Sequence, residues 1–465
     1  MGNLIPRTAA VVVWCLAVAV VACSSGSTPP NTASPSRTAV VPSASPPISI
    51  DWAQYHRDAG RSGVGPAEPA LTTPRTAWNS GVDAEVYASP LIVAGHVIVA
   101  TENNTVYSLD VFTGQAVWQR HLGDPVDAST LPCGNIQPIT GITSTPAADP
   151  ASGRVYVVAF LRGYHHVLYA LSLTDGSVLW QQTIDPAGST PRVQQLRAAL
   201  SIGSGLVYVP FGGLFGDCGD YHGYVVGVPL SGGAAHVYRV PTATGASIWS
   251  PQGATIGPDG SVYVVTGNAT SSASTFGYSD SVLQLSPDLA SVRSYFAPSN
   301  WAALNRADTD LGSTGAAVLP ALDRVFVIGK EGVGYLLRPG SLGEIGGQVA
   351  SARVCSGAWG GTAWLGSTVF IPCADGLYAV SVSASSIRVL WHSNHPTLAP
   401  PMTAAGAVWA LEAPSATLYA FDPSSGRTLY SAKVPSANRY STAAATEGFV
   451  VMPTGRSVTA ISVVG

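Results

Sequence analysis

The chain has 465 residues, a net charge of −4 and only 10% charged residues, far below the ~25% of an ordinary soluble domain. No basic run interrupts it, which excludes a nucleic-acid footprint. Its 50 Gly and 35 Pro, set among Ser, Thr, Ala and Val, starve helices and suit strands joined by turns, so an all-β fold is expected.

At the N-terminus, Arg7 precedes the apolar run TAAVVVWCLAVAVVA, too short for a comfortable transmembrane span. The run closes on Val20, Val21, Ala22 and Cys23, small residues before a cysteine, as in a bacterial lipobox. Residues 1–22 therefore read as a lipoprotein signal peptide and Cys23 as the lipidated first residue of the mature chain. Residues 23–50, dominated by Ser, Thr and Pro, cannot bury a core and read as an extended disordered tether. The expected location is the cell envelope, with the chain lipid-anchored on the extracytoplasmic side of a bacterial membrane.

From residue 51 a unit recurs. NNTVYSLDVFTGQAVWQ, from Asn103, reads strand, tight turn, strand, with an aromatic at the close. HVLYALSLTDGSVLWQQ, from His166, and ATLYAFDPSSGRTLYSA, from Ala416, are altered copies, and GLYAVSVSASSIRVLWH, from Gly376, is a looser one. The closing aromatics Trp78, Trp118, Trp180, Tyr238, Tyr295, Trp391 and Tyr430 lie roughly 40 to 60 residues apart, except for one double gap. That gap holds RVFVIGKEGVGYLLRPG, two further strands of the same kind whose outer strand has lost its aromatic. An inner strand opening on Ser-Pro or Thr-Pro, as in ASPLIVAG and TSTPAADP, completes four strands per unit. Such a unit cannot cover both faces alone, so copies must stack around an axis as the blades of a β-propeller. The last unit runs one strand short, whereas the strand around Trp78 has no blade before it. The N-terminal strand therefore completes the last blade, removing an open edge and giving eight four-stranded antiparallel blades over residues 51–465.

The VYxLDxxTGxxxW unit resembles the repeat of the quinoprotein-alcohol-dehydrogenase-like (PQQ-repeat) propellers, which include quinone-dependent alcohol dehydrogenases and non-catalytic scaffold lipoproteins. The entry segment DWAQYHRDAGRSG resembles the opening of that family, with Trp52, Asp58, Arg61 and Gly63 in matching places. The resemblance is a statement about fold, and a fold carries many activities.

Four cysteines remain beyond Cys15 and Cys23, an even number that reads as disulfides in an exported protein. In a four-stranded blade, the loops between blades and those from second to third strand emerge on one face. Cys133 lies in an inter-blade segment and Cys218 in a second-to-third-strand loop one blade on. Cys355 opens an inner strand, and Cys373 ends the adjacent strand of that blade. The expected pairs are Cys133–Cys218 and Cys355–Cys373. No C-x-x-C spacing supports a metal site.

Site chemistry enters only through the resemblance. SIWSPQGATIGPDGSVYVVTGNAT and NRADTDLGSTG look like the part of quinone-dependent dehydrogenases that supplies an Asn ligand to a calcium ion and a catalytic Asp. On that likeness Asn268 is a calcium ligand, and Asp310, or alternatively Asp308, is the base that takes a proton from an alcohol, Asp310 also facing the metal. Lys330 stands where the family places a basic residue beside the quinone, and Trp249 resembles an aromatic near it. The topology puts these positions on the cysteine rim. Oxygen ligands on turns suit calcium, and a carboxylate near a cation is a workable base. Three features depart from the pattern. The loop GGLFGDCGDYHG offers Asp217 or Asp220 in place of the family's Glu ligand, no adjacent Cys-Cys pair is present, and no C-x-x-C-H haem motif occurs.

Other constellations read as packing. His165 and His166 are neighbours on a strand, point to opposite faces and cannot chelate together. Trp359, Trp364 and Trp409 read as inter-blade packing. The departures favour a lipid-anchored propeller that works without a cofactor, as a binding or scaffold protein whose loop rim meets an envelope protein or ligand. The alternative is a PQQ- and calcium-dependent dehydrogenase oxidising an alcohol or sugar.

Overall fold

The computed structural model describes residues 51–270 and 275–464; the expected signal peptide, the tether and the lipidated Cys23 lie outside the described residues. Eight antiparallel sheets follow one another along the chain, each four-stranded at its core, and two carry a short extra strand. Seven are built from residues 91–121, 147–183, 201–239, 255–297, 317–353, 363–392 and 402–433. The eighth joins residues 444–462 to Arg75–Gly81 as its outer strand, with Trp78 opposite Ala460. The inner strand 444–446 lies beside 91–93, so the ring closes as the sequence predicts. No helix among the described residues is long and apolar enough to cross a membrane.

The middle strands are continuous apolar runs because neighbouring blades cover both their faces. Val155 to Phe160 are all buried, whereas the outer strand Ala116–His121 is largely exposed. The core is accordingly divided into seams. One apolar cluster joins the first and second blades through Leu91, Ile98, Val157 and Tyr169, and the next joins the second and third through Tyr156, Leu168, Val209 and Phe211. The cluster at the closure gathers the seventh, eighth and first blades around Trp52, Trp409 and Ile461.

The closing aromatics act across these seams. Trp78 Nε1 donates to Val111 O at 2.9 Å and Trp118 Nε1 to Leu173 O at 3.0 Å. Trp180 reaches Leu230 O at 3.3 Å and Trp391 reaches Pro423 O at 2.9 Å. Each acceptor belongs to the strand-turn-strand of the following blade, so one residue buries its ring and satisfies its N–H on the neighbour. The turn beneath must lack a side chain. At Gly176 φ is +68°, and a Cβ would stand 2.5 Å from Trp118 Cε3. Gly176→Ala is expected to destabilise the protein by about 2 kcal/mol in urea unfolding; an unchanged midpoint would mean that the Trp118 ring can swing away. The outer strand of the fifth blade, Ala350–Arg353, carries no aromatic, in keeping with the double gap in the repeat.

The entry segment threads the ring before joining it. Trp52 exchanges backbone hydrogen bonds with Ile92 of the first blade at 2.7 and 3.0 Å, and Ala53 O accepts from Ala148 of the second. Gln54 Oε1 accepts from Ile202 of the third blade and Ala59 O from Ile256 of the fourth. Ser62 O then accepts from Trp364 of the sixth and Gly63 O from Thr403 of the seventh. Twelve residues thus tie six inner strands to one peptide. At its centre Arg61 is fully buried and donates only to uncharged oxygens of the fold.

Both expected disulfides are formed, with Cα–Cα distances of 6.2 Å for Cys133–Cys218 and 6.3 Å for Cys355–Cys373. Cys355 sits in the connection leading into the sixth blade rather than on its inner strand Ala363–Leu365. Among the described residues, the only grouping of His, Cys and acidic atoms close enough to hold a metal is Cys355, Cys373 and Asp375, and its two thiols are consumed by the disulfide. His165 is exposed and His166 buried, on opposite faces of their strand, yet both Nδ1 atoms reach the Asp185 carboxylate, at 3.0 and 2.8 Å.

Candidate functional site

The loops between blades and the second-to-third-strand loops share one face of the ring, and there they enclose a cavity of about 450 Å³, within the range of small-molecule sites. Asp217, Trp249, Asn268, Asp308, Asp310 and Lys330 all line it. The sequence-predicted positions, drawn from three blades and two connections, are therefore brought together.

Asp310 lies in the connection before the fifth blade, at the N-cap of the 3-10 turn Leu311–Ser313, and is 3% exposed. Its Oδ1 accepts the Asn268 N–H at 2.6 Å, and its Oδ2 lies 2.6 Å from Lys330 Nζ. This approach needs Gly267, where a Cβ would stand 2.7 Å from Asp310 Oδ1 and 3.1 Å from Trp249 Nε1. Lys330 also donates to Asp308 Oδ1 at 3.0 Å, and its ammonium lies 5.8 Å from the centre of the Trp249 ring. Burial works against the Lys330 charge, but the Asp310 carboxylate and the hydrogen bonds to both acids outweigh it and hold the amine above its ordinary range. Burial pushes the Asp310 carboxyl upward, against the pull of Lys330 and the Asn268 amide. Behind it Asp280 is fully buried, accepts from Leu311 N–H at 3.0 Å, and leaves Oδ2 without a partner. Burial, reinforced by the Asp310 charge, holds the Asp280 carboxyl well above its ordinary range.

A calcium ion needs six to eight oxygen ligands, and the donors as arranged do not make such a site. Both Asp310 oxygens are engaged, Asp217 Oδ1 accepts from Tyr221 OH at 2.6 Å, and the Lys330 ammonium already supplies the local positive charge. The Asn268 side-chain amide makes no hydrogen bond among the described residues and, with Asp217 Oδ2 and Asp308 Oδ2, is free to meet a ligand, too few oxygens for calcium. What the cavity offers is a neutralised acid-base pair, one free amide and aromatic faces.

The second wall escaped the sequence reading. Trp359, expected to pack between blades, instead lines the cavity, because the connection before the sixth blade turns over the rim, and the Arg439 guanidinium lies 4.9 Å from its ring. Trp364 and Trp409 do pack at seams as expected. Tyr440, from the connection before the eighth blade, reaches across the ring to within 6.2 Å of Trp249. Arg197 and Arg439 lie over its ring at 5.5 and 5.7 Å. No local motif marks these residues.

By fold and site, the chain is an eight-bladed β-propeller with one polar-aromatic cavity in the mouth of its loop face. Residues 70–273 match the PQQ_2 family model, described as outer membrane protein assembly factor BamB. No curated protein matches the sequence. Among solved structures, the quinohemoprotein alcohol dehydrogenase ADHIIG from Pseudomonas putida HK5 aligns with a TM-score of 0.72 at 13% identity, over 89% of this chain and 80% of its own. A europium-containing methanol dehydrogenase aligns with a TM-score of 0.69 at 14% identity, over 87% of this chain and 90% of its own. BamB from Moraxella catarrhalis aligns with a TM-score of 0.57 at 13% identity, over 84% of this chain and 98% of its own. At these identities the likeness is one of fold, and the family model matches under half of the chain, so the chain is similar in fold both to BamB and to quinoprotein dehydrogenases.

Proposed function

We propose that this chain is a ligand-binding propeller of the bacterial cell envelope, carried on a lipid at Cys23 and held off the membrane by the 23–50 tether. The observation that carries the binding role is the mouth cavity, where a free Asn268 amide and aromatic rings stand beside a Lys330–Asp310 pair. That pair is neutral overall, and its oxygens are committed to the fold rather than to an ion. The envelope setting is supported by the lipobox and by the description of the matching family model as an outer membrane protein assembly factor. The dehydrogenase alternative draws on the convergence of Asn268, Asp310, Lys330 and Trp249, but it requires calcium in a place that Lys330 commands.

Three arms test the proposal. Protein mixed with pyrroloquinoline quinone and calcium should reduce no artificial acceptor when alcohols or sugars are added; calcium-dependent reduction would sink the reading in favour of the dehydrogenase. A thermal-shift screen of small polar organic compounds should return stabilising ligands that Asn268→Leu no longer binds. Cys23→Ser should move the protein from the membrane fraction to the soluble fraction, and an unchanged distribution would remove the lipid anchor.

A further inference from the structure

On one wall of the cavity Lys330 has acids at hand, Asp308 and Asp310, but the cations of the other wall have none. Among the described residues neither Arg197 nor Arg439 has a carboxylate within 4.0 Å. Arg439 makes no hydrogen bond at all there and is spread over Trp359 and Tyr440. Arg197 donates to two uncharged oxygens, Asn135 Oδ1 at 3.1 Å and Gln195 Oε1 at 3.3 Å. The acid whose charge acts on Arg197, Glu102, is buried and spends Oε2 on Gly141 N–H and Thr143 OH. A guanidinium laid on an aromatic face keeps its edge donors available and matches a carboxylate in fork geometry. Two such groups over one tyrosine, in a half-enclosed mouth, leave an uncompensated positive site beside flat apolar surface.

We infer that Arg197 and Arg439 form an anion subsite for the carboxylate of a small aromatic acid, whose ring lies against Tyr440 and Trp359. None of these four residues is a position to which the family resemblance assigns a role, and the inference rests on reading the cavity as a ligand site. The carboxylate neutralises both guanidinium groups and the ring covers the aromatic faces. The far end of the acid points toward Asn268, whose amide accepts from or donates to a hydroxyl there.

The probes are 4-hydroxybenzoate and its neutral counterpart 4-hydroxybenzyl alcohol, titrated calorimetrically into wild type, Arg197→Met and Arg439→Met. The acid is expected to bind wild type roughly tenfold or more tighter than the alcohol, the scale of a charge-assisted pair in a partly closed site. Arg439→Met should bring the acid down to the affinity of the alcohol without moving the unfolding midpoint, because Arg439 makes no hydrogen bond within the fold. Equal affinities for acid and alcohol in wild type overturn the anion subsite and leave the ligand cavity standing. Binding of neither probe overturns both. An acid preference that survives in both variants removes these two arginines from the subsite.

Discussion

Arg61→Met is expected to lower the unfolding free energy by about 3 to 5 kcal/mol, the scale of stripping a buried charged donor from its acceptors. The Arg61 guanidinium is fully buried between the entry segment and the third and fourth blades. Nε donates to Ala254 O at 3.1 Å, one terminal nitrogen to Tyr55 O at 2.9 Å, and the other to Leu200 O at 2.7 Å and Ser201 Oγ at 2.5 Å. Ala254 and Leu200 belong to the connections entering the fourth and third blades, so one side chain fixes the spacing of two inner strands against the entry segment. Methionine refills the volume of the stem but strands these carbonyls where water does not replace the donors. Burial pulls the guanidinium down to about 10, with Asp58 and Tyr55 opposing it, so the group is charged at neutral pH. Arg61→Lys keeps that charge, but a single ammonium cannot reach acceptors on two sides, so it should recover only part of the loss. Urea unfolding supplies the measurement, with hydrogen exchange of Ser201 to Gly203 as a local readout. A midpoint equal to wild type in Arg61→Met would mean that the entry segment does not brace the ring.

The ring was legible because its information is local and repeated. Trp118 and the Thr-Gly turn before it sit in one continuous stretch, and the same stretch recurs often enough for the missing strand at the end to be matched with Trp78 at the beginning. The two disulfides followed from that topology, since a four-stranded blade dictates which loops share a face. The first wall of the site was legible only through family likeness. Nothing in the spacing of Asn268, Asp310 and Lys330 says that they meet; the ring makes them meet. The second wall was not legible, and Trp359 shows why. A tryptophan in a connection looks the same in sequence whether it packs at a seam or faces the axis, and only the path of the loop decides. Arg197, Arg439 and Tyr440 come from connections on different sides of the ring and carry no shared motif. Arg61 was noticed as a family position, but its acceptors are backbone carbonyls, which no side-chain pattern announces.

Glu102 should make the protein lose stability as pH rises from about 4.5 to 7, by roughly 3 kcal/mol. This residue sits in the second-to-third-strand loop of the first blade, 1% exposed, with Oε2 bonded to Gly141 N–H at 2.7 Å and Oε1 without a partner. Burial pushes its carboxyl up to about 7, against the Gly141 and Thr143 hydrogen bonds and the charge of Arg197, while Tyr87 stands nearby on the same wall. Between the unfolded and folded values the native state holds a proton that the unfolded chain has released. The contribution is therefore complete below about 4.5 and is lost as pH climbs through about 7. Buried His56 acts with the opposite sign. Burial drives its ring down to about 3, so the unfolded chain binds the extra proton, and stability from this source rises with pH up to about 6.5. The raw pH profile mixes the two, and wild type must be compared with Glu102→Gln, which stays neutral throughout and leaves His56 untouched. The difference in unfolding free energy should grow in favour of the glutamine variant from pH 5 to pH 8. Parallel profiles would mean that Glu102 is ionised across the range and is held by the Arg197 charge, which would also remove the uncompensated positive wall of the cavity.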